Sequence, residues 1–379
     1  MYDRIASFPN LLKAYYKARR HKRYRRRLQR MEVDFENRLL IISSSLKNQT
    51  YKPKKYHRFV VFEPKMRQIS APAFIDRIIH HAIINIIEPL FEVQFIPTSF
   101  ACRKNKGTHF GMLKVADCHK TFVDKYPIFY VLKCDIKQYF ASIDHQILFQ
   151  LLSQTLTCPK TLQLLKIIIE SYEDSPGKGI PIGNLTSQLF ANVYLHQLDL
   201  YTQNVLREPN YFRYMDDFII FSSDKEYLKK LRFQIEDFLK ENLELSLHPK
   251  KANILRADKG LDFLGYFIKK DVTLLRRKTL RRYKKRHKRR LKLLKAYKKK
   301  LKKQGDSLQL SLFSEKLGED EQTIYLNEKI EGLKHKLRSS RNSLKGFLNY
   351  SEHKKLSTGG VEVNKIIVPN IFSKKKKKL

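Results

Sequence analysis

Three carboxylates stand in apolar surroundings that call for an explanation. Asp135 closes the run IFYVLKCD, and Asp216 and Asp217 are adjacent within FRYMDDFIIF. Side-by-side like charges are costly unless a cation neutralises them. A hard divalent cation such as Mg²⁺ takes oxygen ligands and binds through carboxylates together with substrate phosphates. Two such ions ~4 Å apart stabilise both the attacking and the leaving oxygen of an in-line phosphoryl transfer. Each feature alone has a plainer explanation. An Asp at a strand end is usually a cap, and an Asp–Asp pair in a turn is usually a hydrophilic tip.

The elements that must carry these residues follow from periodicity. Residues 128–136 read as a strand ending near Asp135, and 212–221 as a hairpin whose turn contains Asp216 and Asp217. Around them, 56–70 alternates as a hairpin, and 76–90 is a helix with Ile78, Ile79, Ile83, Ile84 and Ile86 on its apolar side. Asp144 precedes the apolar helical stretch ILFQLLSQTL. Residues 184–200 form a helix behind a Gly/Pro loop, and 261–268 form another strand. Phe35, Leu39, Ile42 and Leu46 recur at helical spacing after the first basic block. A long helix is expected over 276–303, with Leu280, Tyr283, His287, Leu291, Leu294 and Leu301 as its packing stripe. A loop over 305–321 and a second helix over 323–350 complete the reading.

The chain has 379 residues, 42% of them hydrophobic, and a formal net charge of +40. That length suffices for two or three domains. So large a charge repels itself unless something anionic is bound, and nucleic acid is the first candidate. An anionic membrane surface is the rival, but no apolar run approaches the ~20 residues of a span, so no membrane partner is expected. No apolar signal region stands at the N-terminus. The cysteines at 102, 118, 134 and 158 show neither close pairing nor zinc spacing, which fits a reduced, cytoplasmic setting. Basic blocks run over 13–30, 276–303 and 374–378, and the middle one holds eighteen Lys or Arg in 28 residues. Between the first two blocks, 51–270 has ordinary composition and reads as the folded enzyme core, with the flanks as nucleic-acid grips.

RYMDDFIIF and KCDIKQYFASIDH resemble the catalytic palm motifs of reverse transcriptases, in the form shared by bacterial retroelement enzymes. The resemblance implies an α+β right-hand polymerase: fingers, a palm of antiparallel sheet backed by helices, and a helical thumb. It gives Asp135, Asp216 and Asp217 the two Mg²⁺ ions, with Mn²⁺ as a substitute, and Asp217 the more indirect role. Phe140 maps to the sugar gate that excludes a 2′-hydroxyl. GIPIGNLTSQLFANVYLHQLD resembles the loop and helix that meet the templating base and incoming nucleotide, which points to Ile182, Gly183 and Gln188. EPKMRQISAPAFIDRIIHHAI resembles the fingers motif, in which Lys65 and Arg67 meet the triphosphate; Arg77, Arg103 and Lys106 are weaker candidates for template or phosphate contact. LHPKKANI places a candidate general acid at Lys250 or Lys251, and the residues leave that choice open. Asp144 reads as structural.

Ile182 stands where most bacterial members carry glutamine, and Gln188 where they carry proline. That IGxxxSQ form resembles the enzymes of diversity-generating retroelements. The resemblance implies error-prone copying opposite template adenine, a structured template-repeat RNA, deoxynucleoside triphosphates, a cDNA product, and a small basic accessory protein oligomer. Arg276, Arg277, Arg281, Arg282, Lys285 and Arg289 on the long basic helix are the expected RNA contacts. The expected organisation is 1–50 basic helical, 51–125 fingers, 126–270 palm, 271–350 thumb and 351–379 tail. Nothing after the thumb helices is long enough for a folded endonuclease or RNase H domain. The alternatives are a phage-defence or group II intron-like reverse transcriptase, an RNA-dependent RNA polymerase, and a non-catalytic RNA-binding protein. Phe140 argues against the RNA polymerase, and the carboxylates in apolar strands against the last.

Overall fold

The computed structural model describes residues 1–20, 33–62, 66–310 and 321–350. Two compact units divide the chain, one of residues 1–115 with 122–258, the other of 116–121 with 259–379.

The first unit opens with helices α1 (Tyr2–Ala6), α2 (Phe8–Arg19) and α3 (Phe35–Lys47). Within the basic text of α2, Leu11, Ala14, Tyr15 and Ala18 recur at helical spacing and are buried. Leu39, Ile42 and Leu46 do the same on α3. These faces meet: Tyr15 stacks on Phe35 with centroids 5.0 Å apart, and Ser43 Oγ donates to the Ala6 carbonyl at 2.7 Å. All three helices share one hydrophobic core with the rest of the unit. The folded core therefore starts at the N-terminus rather than at residue 51, because a stripe of four apolar positions holds a helix down however basic its other faces are. Residues 21–32 of the first basic block lie outside the described residues.

A hairpin follows, β1 (His57–Val61) antiparallel to β2 (Arg67–Ala71), with all five β1 residues exposed. Helices α4 (Phe74–Glu92) and α5 (Thr108–Lys125) lead to the central sheet. This sheet contains β3 (Tyr130–Asp135), β4 (Tyr211–Tyr214), β5 (Asp217–Ser222) and β6 (Asn253–Arg256) in the order β4-β5-β3-β6, every neighbour antiparallel. Its helices are α6 (Tyr139–Ser142), α7 (His145–Thr155), α8 (Pro159–Glu170), α9 (Leu185–Leu200) and α10 (Lys225–Leu243). Asp144 caps α7, accepting from the backbone N–H groups of Gln146 and Ile147 at 2.8 and 3.0 Å. Helix α9 is buried almost all round, its polar Thr186, Ser187, Asn192, His196 and Asp199 included, which places it in the interior. It packs against α4, α7 and α10 and ends in a π-helical turn, Tyr201–Val205.

The second unit holds a three-stranded antiparallel sheet, β7 (Leu261–Phe263), β8 (Tyr266–Ile268) and β9 (Thr273–Leu275), then helices α11 (Arg277–Leu310) and α12 (Glu321–Asn349). Residues 261–268 are thus a hairpin, not one strand. Leu264 and Gly265 take φ of 48° and 88°, the paired left-handed conformation of a tight two-residue turn. The text LDFLGYFI hides that turn because its one mark there is Gly265, set among large apolar residues. Leu275, Tyr283 and Leu344 form one small apolar cluster of this unit, with Leu280, Phe347 and Leu348 packed on it. Helix α11 continues through residue 310, so the start of the expected loop is helical; 311–320 and the tail 351–379 lie outside the described residues. The whole is a mixed α/β fold of antiparallel sheets backed by helices. Among the described residues, no helix is long and apolar enough to cross a membrane.

Candidate active site

Strand β3 ends on Asp135 and β5 begins on Asp217, and the antiparallel register sets the two directly opposite each other. Behind them Val131, Leu132 and Cys134 on β3 and Phe218 to Phe221 on β5 are buried, so the two carboxylates stand at the edge of an apolar interior. Met215 and Asp216 form the two-residue turn between β4 and β5, and the Asp216 carbonyl accepts from Ile136 N at 3.3 Å. All three carboxylates therefore lie at one end of one sheet.

Electrostatics there are strained. Burial raises the pKa of Asp216, and the charge of Asp135 adds to the effect. Asp217 is pushed up to about 6, first by burial; Lys133 opposes the rise, while Asp135 and Asp216 reinforce it. Two lysines supply counter-charge. Lys251 Nζ lies 2.5 Å from Asp135 Oδ1, and Lys133 Nζ 3.8 Å from Asp217 Oδ2. Lys251 is therefore the lysine of the expected pair that reaches the carboxylates, while Lys250 is exposed. Among the described residues, no group of three or more His, Cys, Asp or Glu side chains is gathered tightly enough to hold a metal ion by itself. The donor chemistry nevertheless fits a hard divalent cation. The groups are all carboxylate oxygens, Asp217 Oδ1 is buried with no hydrogen-bond partner, and a lysine ammonium already stands where positive charge is needed.

The neighbouring loop is tied to the same region by backbone bonds. Phe140, half-buried on α6, accepts through its carbonyl from Ile180 N at 2.8 Å, and the Ile182 carbonyl accepts from Ser70 N on β2 at 3.3 Å. Gly183 has φ of 119°, and a Cβ there would stand 3.1 Å from Ile69 Cγ2. Both the conformation and the close approach call for glycine. Arg67 on β2 lies near enough for its charge, after that of Lys251, to oppose the burial-driven rise at Asp216. Beside this loop is a cleft of about 560 Å³ lined by His57, Phe59, Ile69, Arg77, His80 and Gly183.

Other expected contacts fall elsewhere. Gln188 lines a small cavity with Glu88, Glu92 and Arg103, apart from the loop's cleft. Arg103 is a structural brace rather than an available phosphate contact: its guanidinium binds Glu92 at 2.9 Å and the Ile96 and Ser99 carbonyls at 2.6 and 2.8 Å. Arg77 Nε donates to the Pro72 carbonyl at 3.1 Å, and Lys106 Nζ to that of Pro97 at the same distance. Lys65 lies outside the described residues. Arg276, Arg277, Arg281, Arg282, Lys285 and Arg289 are all exposed, and Arg276 pairs with Asp262 at 3.2 Å.

Sequence reasoning missed Lys133, Arg213 and Asp199. The last two form a fully buried ion pair. The signal was a charge inside an apolar strand and another at the end of an apolar helix, each needing the other.

The sequence profile of the reverse transcriptase (RNA-dependent DNA polymerase) family matches residues 51–268. Protein YkfC of Escherichia coli (strain K12) is 24% identical over 272 residues, covering 60% of this chain and 70% of that protein. The group II intron-encoded protein LtrA of Lactococcus lactis subsp. cremoris is 25% identical over 319 residues, covering 65% of this chain and 51% of that protein. The chain thus spans about half the length of that intron-encoded relative. Among solved structures, telomerase from Candida tropicalis in complex with a TWJ fragment of telomeric RNA superposes with a TM-score of 0.44 at 12% identity, over 86% of this chain and 59% of that one. The apo telomerase of the same organism gives 0.42 at 12% identity, over 59% of this chain and 50% of that one. The chain belongs to the reverse transcriptase family.

Proposed function

From that membership we propose that the protein is an RNA-templated DNA polymerase of right-hand form. The β1–β2 hairpin acts in the fingers, the four-stranded sheet as the palm, and α11 with α12 in the thumb. The observation that carries the reading is the register that sets Asp135 opposite Asp217 with Asp216 in the adjoining turn, inside the family-matched segment.

In this reading Asp135 and Asp216 hold two Mg²⁺ ions, Mn²⁺ substituting, with Asp217 acting behind them. When bound, the ions polarise the α-phosphate and favour loss of the primer 3′-hydroxyl proton. The chain's own groups then orient the reactants. Arg67, with Lys65, steadies the triphosphate charge. Phe140 closes the space a 2′-hydroxyl needs and so selects deoxynucleotides. Ile182 and Gly183 form the floor on which the nascent pair rests, with Gln188 supporting the helix behind it. Lys251 gives a proton to the departing pyrophosphate. Arg276, Arg277, Arg281, Arg282, Lys285 and Arg289, all exposed, grip structured RNA through its phosphates.

The relatives favour a group II intron-like enzyme, since the intron-encoded protein aligns through 65% of this chain. A second reading rests on Ile182: a diversity-generating enzyme, with an aliphatic floor that loosens base selection, misincorporation opposite adenine, a template-repeat RNA and an accessory protein oligomer. One experiment tests both. Deoxynucleotide incorporation on a primed RNA template with Mg²⁺ is measured and the products are sequenced. Metal-dependent DNA synthesis supports the polymerase, and its absence with cognate RNA and accessory protein present refutes it. Errors concentrated opposite adenine that Ile182→Gln removes favour the diversity-generating reading, whereas even, low error favours the intron-like one.

A further inference from the structure

The turn that carries Asp216 is built from an unfavourable residue. In a two-residue hairpin turn the first position often needs positive φ, and glycine, asparagine or aspartate usually fills it. Here Met215 occupies it at φ 59°. A side chain in that conformation persists only where surrounding structure over-determines it.

Arg213, two residues earlier on β4, supplies the determination. It is fully buried, 0% exposed. Its Nε donates to Asp199 Oδ1 at 2.6 Å and its Nη2 to Asp199 Oδ2 at 2.5 Å. This bidentate fork leaves Nη1 pointing away from the carboxylate. Nη1 donates to the Met215 carbonyl at 3.2 Å and to Asn192 Oδ1 at 3.3 Å. The anchors are themselves held. Tyr211 OH donates to Asp199 Oδ1 at 2.8 Å, and Asn192 Nδ2 to the Ala101 carbonyl at 2.9 Å. The Arg213 backbone is gripped as well, its N–H by the Thr98 carbonyl and its carbonyl by Phe100 N–H, both at 3.0 Å. Although burial raises the pKa of Asp199, the Arg213 charge outweighs it and holds the carboxyl ionised.

Stability alone does not call for this pair. Apolar residues of similar volume are often as stable or more so in place of a buried ion pair. What apolar residues cannot supply is a rigid donor aimed at a turn carbonyl. We propose that Arg213 is a positioning residue of the catalytic turn: fixed by Asp199, its guanidinium holds Met215 in the left-handed conformation that presents Asp216. This rests on the reading of Asp216 as a metal-holding carboxylate. Helix α9 begins just after the Ile182–Gly183 loop and carries Asn192 and, in its last turn, Asp199, so one buried rod serves both the nucleotide floor and the turn.

The test is a double-mutant cycle on the full chain, in Mg²⁺-dependent deoxynucleotide incorporation on a primed RNA. Arg213→Lys keeps a charge for Asp199 and loses the planar fork. Its kcat should fall on the order of 10²-fold, the scale of a small misplacement of catalytic groups, while KM for the nucleotide stays put. The Mg²⁺ concentration for half-maximal rate should rise. Met215→Gly adopts positive φ without a brace. On the Met215→Gly background, Arg213→Lys should therefore cost less than about tenfold. Rates are referred to the folded fraction from near-ultraviolet circular dichroism; should Arg213→Lys not fold, Asp199→Asn replaces it in the same cycle. Equal kcat per folded molecule in Arg213→Lys and wild type overturns the proposal, as does the full loss persisting with Met215→Gly. A wild-type chain with no metal-dependent synthesis overturns the polymerase reading, and this inference with it.

Discussion

At the carboxylate end of the central sheet, Arg213 is sealed from solvent and spends its donors on Asp199, Asn192 and the Met215 carbonyl. Along α11, by contrast, Arg277, Arg281, Arg282 and Arg289 stand exposed. The same side chain does opposite work in the two regions. A buried charge interacts strongly and directionally, so it sets geometry. Charges 4 Å apart interact by about 1 kcal/mol in water but about 4 kcal/mol at an effective dielectric near 20. An exposed row of charges sets no geometry. On the proposed reading it contributes affinity for a polyanion, and salt screens it.

That contrast can be broken experimentally. The largest expected effect is at the buried carboxylates. Asp216→Asn should lower incorporation by at least about 10³-fold, the scale of losing several kcal/mol of transition-state charge stabilisation. Its melting temperature should not fall, because a buried, crowded charge is removed. A variant that still polymerises would move the active site elsewhere. Next, Lys251→Gln should cost roughly 10²-fold in kcat, within the range of general acid catalysis, while Lys250→Gln stays near wild type. Equal losses in steady-state assays would erase the distinction drawn from the 2.5 Å Lys251–Asp135 contact.

On the exposed side, changing Arg277, Arg281, Arg282, Lys285 and Arg289 together to Gln should leave kcat at saturating RNA unchanged. Every phosphate that this face no longer neutralises should flatten the plot of log affinity against log salt by about 0.7 to 0.9. An unchanged slope in filter-binding titrations would show that this face does not hold RNA.

The remaining expectation concerns pH. His80 on α4 is kept neutral in the fold, its pKa lowered to about 3, first by burial and then by the charges of His81 and Arg77. The unfolded chain takes up that proton near pH 6.5, so stability should fall as pH drops from there toward 3. His80→Gln should lessen that fall by up to about 1.4 kcal/mol per pH unit in chemical denaturation series. The α11 substitutions should leave it unaltered, and a matching change there would blur the two regions.

Much of this was legible beforehand. The strand ending at Asp135, the 211–222 hairpin, the α9 helix and the basic helix all declare themselves by periodicity, a local property of neighbouring side chains. So does the chemistry of three carboxylates in apolar text. Other features were hidden because their cause is local but weakly marked: the Leu264–Gly265 turn is marked by a single glycine among large apolar residues, and the α2 stripe runs into a basic block. A third set has no local cause at all. That Lys251 rather than Lys250 reaches Asp135 depends on how the chain after His248 meets the end of β3. That Arg103 is consumed by Glu92 depends on a loop folding back on α4. The Asp199–Arg213 pair joins a helix end to a strand, and burial makes each ion need the other. The sequence determined which groups exist and which elements bear them. Only the tertiary structure decided which charges lose their water, and that loss separates a positioned group from a solvated one.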